Sequence, residues 1–365
     1  MSPSFGSSDP LTIGIEEEVL LVAGEDRRLA NVADEVLAAL DLPEALAAHE
    51  AFAAEVELRT PVCRSIAEAR TELEQRRSAA AAAAAQAGAE AMAVGLHPNG
   101  TYGDVELVDA ERYRRLDDLV GGLIRRTPEC ALHVHVGMPD AEAAIRVLNA
   151  LRDHLPLLQG LSAASPYWFG TDSGLASARF SIVRAYPRRG VPRAFGSWQE
   201  YEEVAAAVGD AGDAGDYTFI WWDVRAHPKL GTVEMREMDA QPSLDDACAV
   251  AALVHALAAR ALDEPPGEHP HTEALAESSF RASRDGVEAT ILHEGRLVPL
   301  REAAQATVEA VRGHAREVGA GDALEGVERI LREGGSAARQ RAVVATGGMD
   351  ALLDRLVRET RDGAP

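Results

Sequence analysis

Between Leu11 and Val22 the chain reads LTIGIEEEVLLV, a run of strand character that holds three consecutive glutamates. Successive side chains of a strand point to opposite faces, so Glu16 and Glu18 project together. Glu17 falls on the other side with Ile13, Ile15, Val19 and Leu21. Burying a carboxylate without a partner is expensive, so this segment is either wet on one face or met there by something cationic.

Three further segments repeat the pattern. In FAAEVELRTPVC, Ala54, Val56 and Leu58 alternate with Glu55, Glu57 and Arg59 until a proline stops the strand. CALHVHVGM sets His133 and His135 against Val134 and Val136, and GTVEMREMDA sets Glu234, Arg236 and Met238 against Val233 and Met235. A half-exposed antiparallel sheet would explain any one of these, but a solvated face draws freely on Thr, Lys, Ser and Gln. Here the polar positions are nearly all glutamate and histidine, which are ligands for hard and borderline cations. The four strands together predict a sheet face that binds divalent metal. Glu17 is expected to be paired or at a strand edge, Glu55 to partner Arg59, and only one of His133 and His135 to touch metal.

Carboxylates with one imidazole and no thiolate suit Mg²⁺ or Mn²⁺, and such ions usually act on phosphates. Phosphoryl transfer from a nucleotide is the chemistry this face suggests. Arg236 is placed to stabilise phosphate charge, with a salt bridge to Glu234 or Asp239 as the alternative.

The rest of the sequence narrows the classes. A net charge of −23 over 365 residues argues against nucleic acid and anionic membranes as partners. Lys229 is the only lysine, and the phosphate-loop motif GxxxxGKS or GxxxxGKT is absent. Cys63, Cys130 and Cys248 are far apart and outside any CxxC pairing, which predicts reduced, buried thiols. No apolar run reaches the roughly 18 residues of a membrane span, and MSPSFGSSDP is unlike a secretory signal, so a cytoplasmic location is expected.

Helix signals cover Ser65 to Met92, where Ser65 and Glu68 form a capping pair, then Asp140 to His154, Ser197 to Val208 and Ser243 to Leu262. DEPPGEHPHTEA reads as a loop, and the chain from about Thr272 reads as helix after helix with little strand signal. The expectation is a single α+β catalytic domain over 1–365, with sheet and helices over about 11–262 and a helical part over about 271–361.

TIGIEEEVLLV, ELRTPVC, GLHP, CALHVHVGMPD, LSAASPYWFGTDSGLASARF, AYPRRGVPRAFGSWQEY and WWDVRAHPKLGTVEMREMDAQPS occur in this order. As a set they resemble the carboxylate-amine ligase family, also called glutamate-cysteine ligase type 2, whose fold belongs with glutamine synthetase and the guanidino kinases. The resemblance implies an antiparallel sheet cradle flanked by helices, with ATP entering at one end and the amino-acid substrate at the other. It implies Glu16, Glu18, Glu57, Glu234 and one of His133 and His135 as ligands of Mg²⁺ or Mn²⁺. Arg236 is implied as the phosphate-binding arginine, acting with Glu57 on the transferring group. Arg179, Arg188 and Arg225 are candidates for nucleotide phosphate or substrate carboxylate, and Trp221 and Trp222 for core or binding surface. Asn99, Glu237 and Met238 depart from the family pattern and bear on the amine pocket.

The implied reaction joins a carboxylate to an amine with ATP, glutamate and cysteine being the first pair to test. A different amine or carboxylate, a metal-dependent phosphotransferase or amidohydrolase, and a metal-storing protein are the competing readings. A homodimer is the expectation from symmetry statistics.

Overall fold

The computed structural model describes residues 3–214, 217–265 and 267–363. In chain order the strands are β1 (Ile13–Ala23), β2 (Ala47–His49), β3 (Glu55–Arg59), β4 (Ala89–Met92), β5 (Leu132–Gly137), β6 (Tyr167–Trp168), β7 (Thr171–Asp172), β8 (Arg189–Gly190), β9 (Trp221–Trp222), β10 (Val224–His227), β11 (Thr232–Met235), β12 (Thr290–His293) and β13 (Arg296–Pro299). The helices up to residue 263 are α1 (Ala33–Leu40), α2 (Ile66–Gln86), α3 (Glu111–Val120), α4 (Ala141–Asp153), α5 (Leu155–Ser162), α6 (Ala178–Val183), α7 (Trp198–Ala211) and α8 (Leu244–Asp263). Beyond it come α9 (Thr272–Asp285), α10 (Leu300–Glu317), α11 (Gly321–Leu324), α12 (Gly326–Glu333) and α13 (Gly335–Asp362).

The main sheet runs β10-β11-β5-β1-β3-β2, with β4 beside the second half of β1, and every pairing is antiparallel. The α+β expectation of an antiparallel sheet flanked by helices is met. One face is dry. Ile13, Ile15, Val134, Val136, Val233 and Met235 pack there with residues of α2, α4 and α8, and the same cluster takes in Leu300, Val311 and Ile330 from the later helices. Beside it, Val19, Leu21, Val56 and Leu58 meet the alanines of α2, whose small side chains let helix and sheet approach closely.

The opposite face of β1 changes character along its length. Leu20 and Val22 pack with Met92 and Val94 against Leu352, Leu353, Leu356 and Val357 of α13, whereas Glu16 and Glu18 lie at the end that α13 does not cover with apolar groups. This position sets the site.

Capping signals mark the helix starts. Ser65, Asp140, Ser197 and Ser243 accept hydrogen bonds from the backbone N–H groups of Glu68, Ala143, Glu200 and Asp246.

The structure corrects the sequence reading at three places. The helix expected over Ser65 to Met92 ends at Gln86; Gly88 turns the chain at φ +73, and Ala89–Met92 become β4 on β1. Met238 does not share a face with Glu234. Met235 pairs with Val134 and Asp239 bridges Ala131, so four steps on one strand oppose three on the other. That one extra residue is a bulge, and it returns Met238 to the core with Val233 and Met235. Finally, the C-terminal part contains a hairpin, β12 with β13, which turns through Gly295 at φ +73.

Candidate active site

Strand register builds the site. Glu16 stands opposite His133, Glu18 opposite Glu57, and Glu234 opposite both His135 and Arg225. Cross-strand partners are near neighbours on one face, so four strands deliver their polar residues to one place.

His133 Nδ1 lies 3.5 Å from Glu16 and its Nε2 3.9 Å from Glu18. His135 Nε2 lies 3.5 Å from Glu16 and 3.8 Å from Glu234, while its Nδ1 is 3.0 Å from the Thr232 hydroxyl. Two sets of donor atoms come within 4.8 Å of one another among the described residues: Glu16, His133 and Glu234, and Glu18, Glu57 and His133. His133 belongs to both. Its Nδ1, together with Nε2 of His135, is buried without a hydrogen-bond partner. Such orphaned polar atoms, clustered with carboxylates and free of thiolates, fit a hard divalent cation.

The electrostatics point the same way. Burial pushes Glu18 up to about 8, reinforced by Glu50, and burial with the charges of Glu16 and Glu50 holds Glu57 well above the usual carboxylate range. Burial would also raise Glu16, but His135 and His133 outweigh it, and Arg225 with Arg236 does the same for Glu234, so both stay well below that range. His133 is pushed down to about 3 by burial and by Arg236, which leaves the neutral imidazole that ligates metal. Burial lowers His135, but Glu16 and Glu234 overcome it and raise the ring.

The arginines divide into distinct positions. Arg236 forms a close ion pair with Glu234 and also lines a cleft of about 110 Å³ that opens beside Glu18 and His133. Arg179 borders this cleft too; its NH1 donates to the carbonyls of Glu237 at 3.0 Å and Met238 at 3.3 Å and sits 3.6 Å from Asp239. Arg225 is turned to Glu234, with Nε 2.5 Å from Oε2 and NH1 donating to the Ile220 carbonyl at 3.0 Å. Arg188 is not among the cleft residues: its Nε donates to the Phe219 carbonyl and its guanidinium lies 5.1 Å from the centre of the Trp221 ring. Trp221 borders the cleft, whereas Trp222 packs in the core.

Glu17 and Glu55 have other partners than the metal-bearing face offers. Glu17 is held by Arg77 of α2. Glu55 does not pair with Arg59, which instead closes on Glu57 and lies 3.8 Å from Glu16; Glu55 accepts from the Cys130 thiol at 2.8 Å. Sequence reasoning missed Glu50, Glu129, Tyr186 and Arg189, which also border the cleft. They stand in no alternating run that would have singled them out.

The model of glutamate-cysteine ligase family 2 matches residues 12–359. The chain belongs to that family. A relative from Rubrobacter xylanophilus, provisionally named glutamate–cysteine ligase 2-3, is 40% identical over 99% of this chain and 100% of its own. A Thermobifida fusca relative, provisionally named glutamate–cysteine ligase 2, is 33% identical over 100% of this chain and 94% of its own. Among solved structures, glutamate–cysteine ligase of Francisella tularensis in complex with AMP superposes with a TM-score of 0.73 at 14% identity, covering 96% of this chain and 88% of that one. A bifunctional glutathione synthetase from Pasteurella multocida gives 0.63 at 13% identity, over 96% of this chain and 52% of that one. At such identities these two likenesses describe the fold. No helix among the described residues of this family member is long and apolar enough to cross a membrane.

Proposed function

We propose that this member of glutamate-cysteine ligase family 2 is an ATP-dependent ligase that joins a carboxylate to an amine, with glutamate and cysteine as its substrates. The observation that carries the reading is the convergence of Glu16, Glu18, Glu57, His133 and Glu234 from four strands into two donor sets that share one imidazole. A site assembled from distant strands is preorganised, which storage of ions does not require but transfer of a charged group does.

Glu16, His133 and Glu234 would hold one divalent cation and Glu18, Glu57 and His133 another position for it. Such an ion, when bound, neutralises charge on the phosphate oxygens of ATP. The residues of the chain do the rest. Arg236 faces the cleft from its ion pair with Glu234 and is the guanidinium nearest at hand for a phosphoryl group in transfer. Arg179 lends a second positive charge to the cleft wall. Arg225 acts at one remove, orienting Glu234.

An amine cannot displace hydroxide from a carboxylate. In the proposed reaction the γ-carboxylate of glutamate attacks the γ-phosphorus of ATP and ADP leaves. The amine nitrogen then attacks the resulting acyl phosphate; the C–N bond forms, the C–O bond breaks, and phosphate departs with the electron pair. No side chain becomes covalently attached.

The test is ADP release by the purified protein with Mg²⁺ and glutamate, with and without cysteine, beside Glu57→Ala. ADP that depends on both substrates and disappears in the variant supports the reading. Turnover with a different carboxylate and amine would move the substrates and leave the ligase; silence across a broad panel would remove it.

A further inference from the structure

Arg179 is held from behind by a hydrogen-bond network that ends on one side chain, Asp239. Both residues are buried, Asp239 at 0% and Arg179 at 2% exposure. The Arg179 backbone N–H donates to Ser165 Oγ at 3.2 Å, and that hydroxyl donates to Asp239 Oδ2 at 2.7 Å. One residue on, the Phe180 N–H donates to Ser177 Oγ at 3.2 Å, and that hydroxyl donates to Asp239 Oδ1 at 2.9 Å. A hydroxyl accepts and donates at once, so two consecutive N–H groups in the first turn of α6 are relayed to the two oxygens of one carboxyl group. The Ala164 N–H adds a third donor at 2.9 Å.

Asp239 also stands behind the guanidinium. Its Oδ1 lies 3.6 Å from Arg179 NH1, the same nitrogen that donates to the carbonyls of Glu237 and Met238 just before Asp239 in the chain. A separation of 3.6 Å is too long for a hydrogen bond, and three other donors already occupy the carboxyl. Arg179 is therefore oriented without the close neutralisation that Glu234 gives Arg236. Its Nε is buried with no partner, so the guanidinium keeps donor capacity that the wall does not absorb.

We propose that Asp239 is the positioning residue for Arg179, holding its guanidinium at the cleft wall to bind an oxyanion of a substrate. The identity of that oxyanion rests on the ligase reading: a carboxylate of the amino acid or a phosphate of the nucleotide. A guanidinium recognises either through paired N–H donors, whose strength depends on orientation. Asp239 is not among the cleft residues and acts through Arg179.

The experiment is a double-mutant cycle read by calorimetry, with glutamate and ADP as separate probes of the Mg²⁺-loaded protein. Asp239→Asn keeps side-chain size but turns one acceptor into a donor, which breaks one arm of the relay. It should weaken one probe about tenfold, and the same change made on top of Arg179→Met should cost less than about twofold. A loss confined to glutamate assigns the oxyanion as a carboxylate, and a loss confined to ADP assigns it as a phosphate. Unchanged affinity for both probes, or an equal penalty in the two backgrounds, would overturn the proposal, because a merely structural residue costs the same whether or not Arg179 is present.

Ser177→Ala is the milder variant should Asp239→Asn fail to fold. It removes the Oδ1 arm and the cap of α6, and should weaken the same probe about threefold, again only where Arg179 is present. No loss, or a loss that persists without Arg179, would remove the role. Binding is read without turnover, which keeps this outcome apart from the ligase reading. The expected coupling in a protein that forms no amide would leave Asp239 in its role and count against the ligase. Amide formation whose KM values for glutamate and ATP are untouched by Asp239→Asn would leave the ligase and remove the role.

Discussion

Arg77 of α2 holds Glu17 of β1 in a two-pronged ion pair, Nε to Oε2 at 2.7 Å and NH2 to Oε1 at 2.5 Å, with both residues buried. The guanidinium also donates to the carbonyls of Gln241 and Pro242, so it ties the sheet and the segment leading into α8 to one helix. This is how the middle glutamate of three is accommodated on the dry face, while its two neighbours serve the other.

Removing one partner should be costly. Arg77→Met is expected to destabilise the fold by about 3–5 kcal/mol in urea unfolding, because Glu17 would remain buried and unpaired. Glu17→Leu combined with Arg77→Met should recover much of the loss. A double variant no more stable than Arg77→Met alone would mean that the bonds to Gln241 and Pro242 dominate.

Metal should stabilise the folded protein by mass action. The melting temperature is expected to rise with added Mg²⁺ and return on chelation. Glu57→Gln, which relieves crowding with Glu16 and Glu50, should melt higher than the wild type in chelator, by about 0.5–2 kcal/mol, and gain less from Mg²⁺. A variant that loses stability in chelator and keeps the full Mg²⁺ response would contradict the assignment of Glu57.

A histidine far from this site carries a pH dependence. Burial, with His293 and Arg260 nearby, lowers His154 from 6.5 to about 3. The unfolded chain therefore takes up the proton first, and stability falls as pH drops from 6.5 towards 3. Above that window the effect is absent. His154→Gln should flatten the slope of unfolding free energy against pH; an unchanged slope would show that the ring is not held neutral.

Gly95 of the GLHP stretch lies against Asp239, and a Cβ there would come within 2.7 Å of the Asp239 side chain. Asp239 accepts from Ala164 N–H at 2.9 Å and from the hydroxyls of Ser165 at 2.7 Å and Ser177 at 2.9 Å, so it has little freedom to retreat. Gly95→Ala is expected to cost about 1–3 kcal/mol by thermal or urea unfolding. The melting of Gly95→Ala against the wild type checks this.

Period-two alternation made β1, β3 and β5 readable, because each strand has one dry face and one polar face. It also placed Glu16, Glu18, His133 and Glu234 together before any coordinates. The same logic failed past Arg236, where an inserted residue breaks the period and only pairing reveals it. β4 was hidden by the alanine run that precedes it, since AEAM has no strand signature of its own. Arg225 read as a free guanidinium for ligands, because its partner is fixed by register with β11 and not by nearness in sequence. Glu50 and Glu129 gave no signal, as single carboxylates in loops look alike whether buried or wet.

The end of β1 that α13 covers lies immediately beside the end that presents carboxylates. A chain leaving the ribosome makes β1 by residue 23, yet the helix that seals its apolar half closes only at residue 362. Between them come β5 and β11, the strands that supply His133 and Glu234. Contacts of such long sequence separation form late and slowly. Nascent protein therefore exposes a sticky, acidic strand for most of its synthesis, and truncation near the C-terminus should yield chains that aggregate before they lose any chemistry.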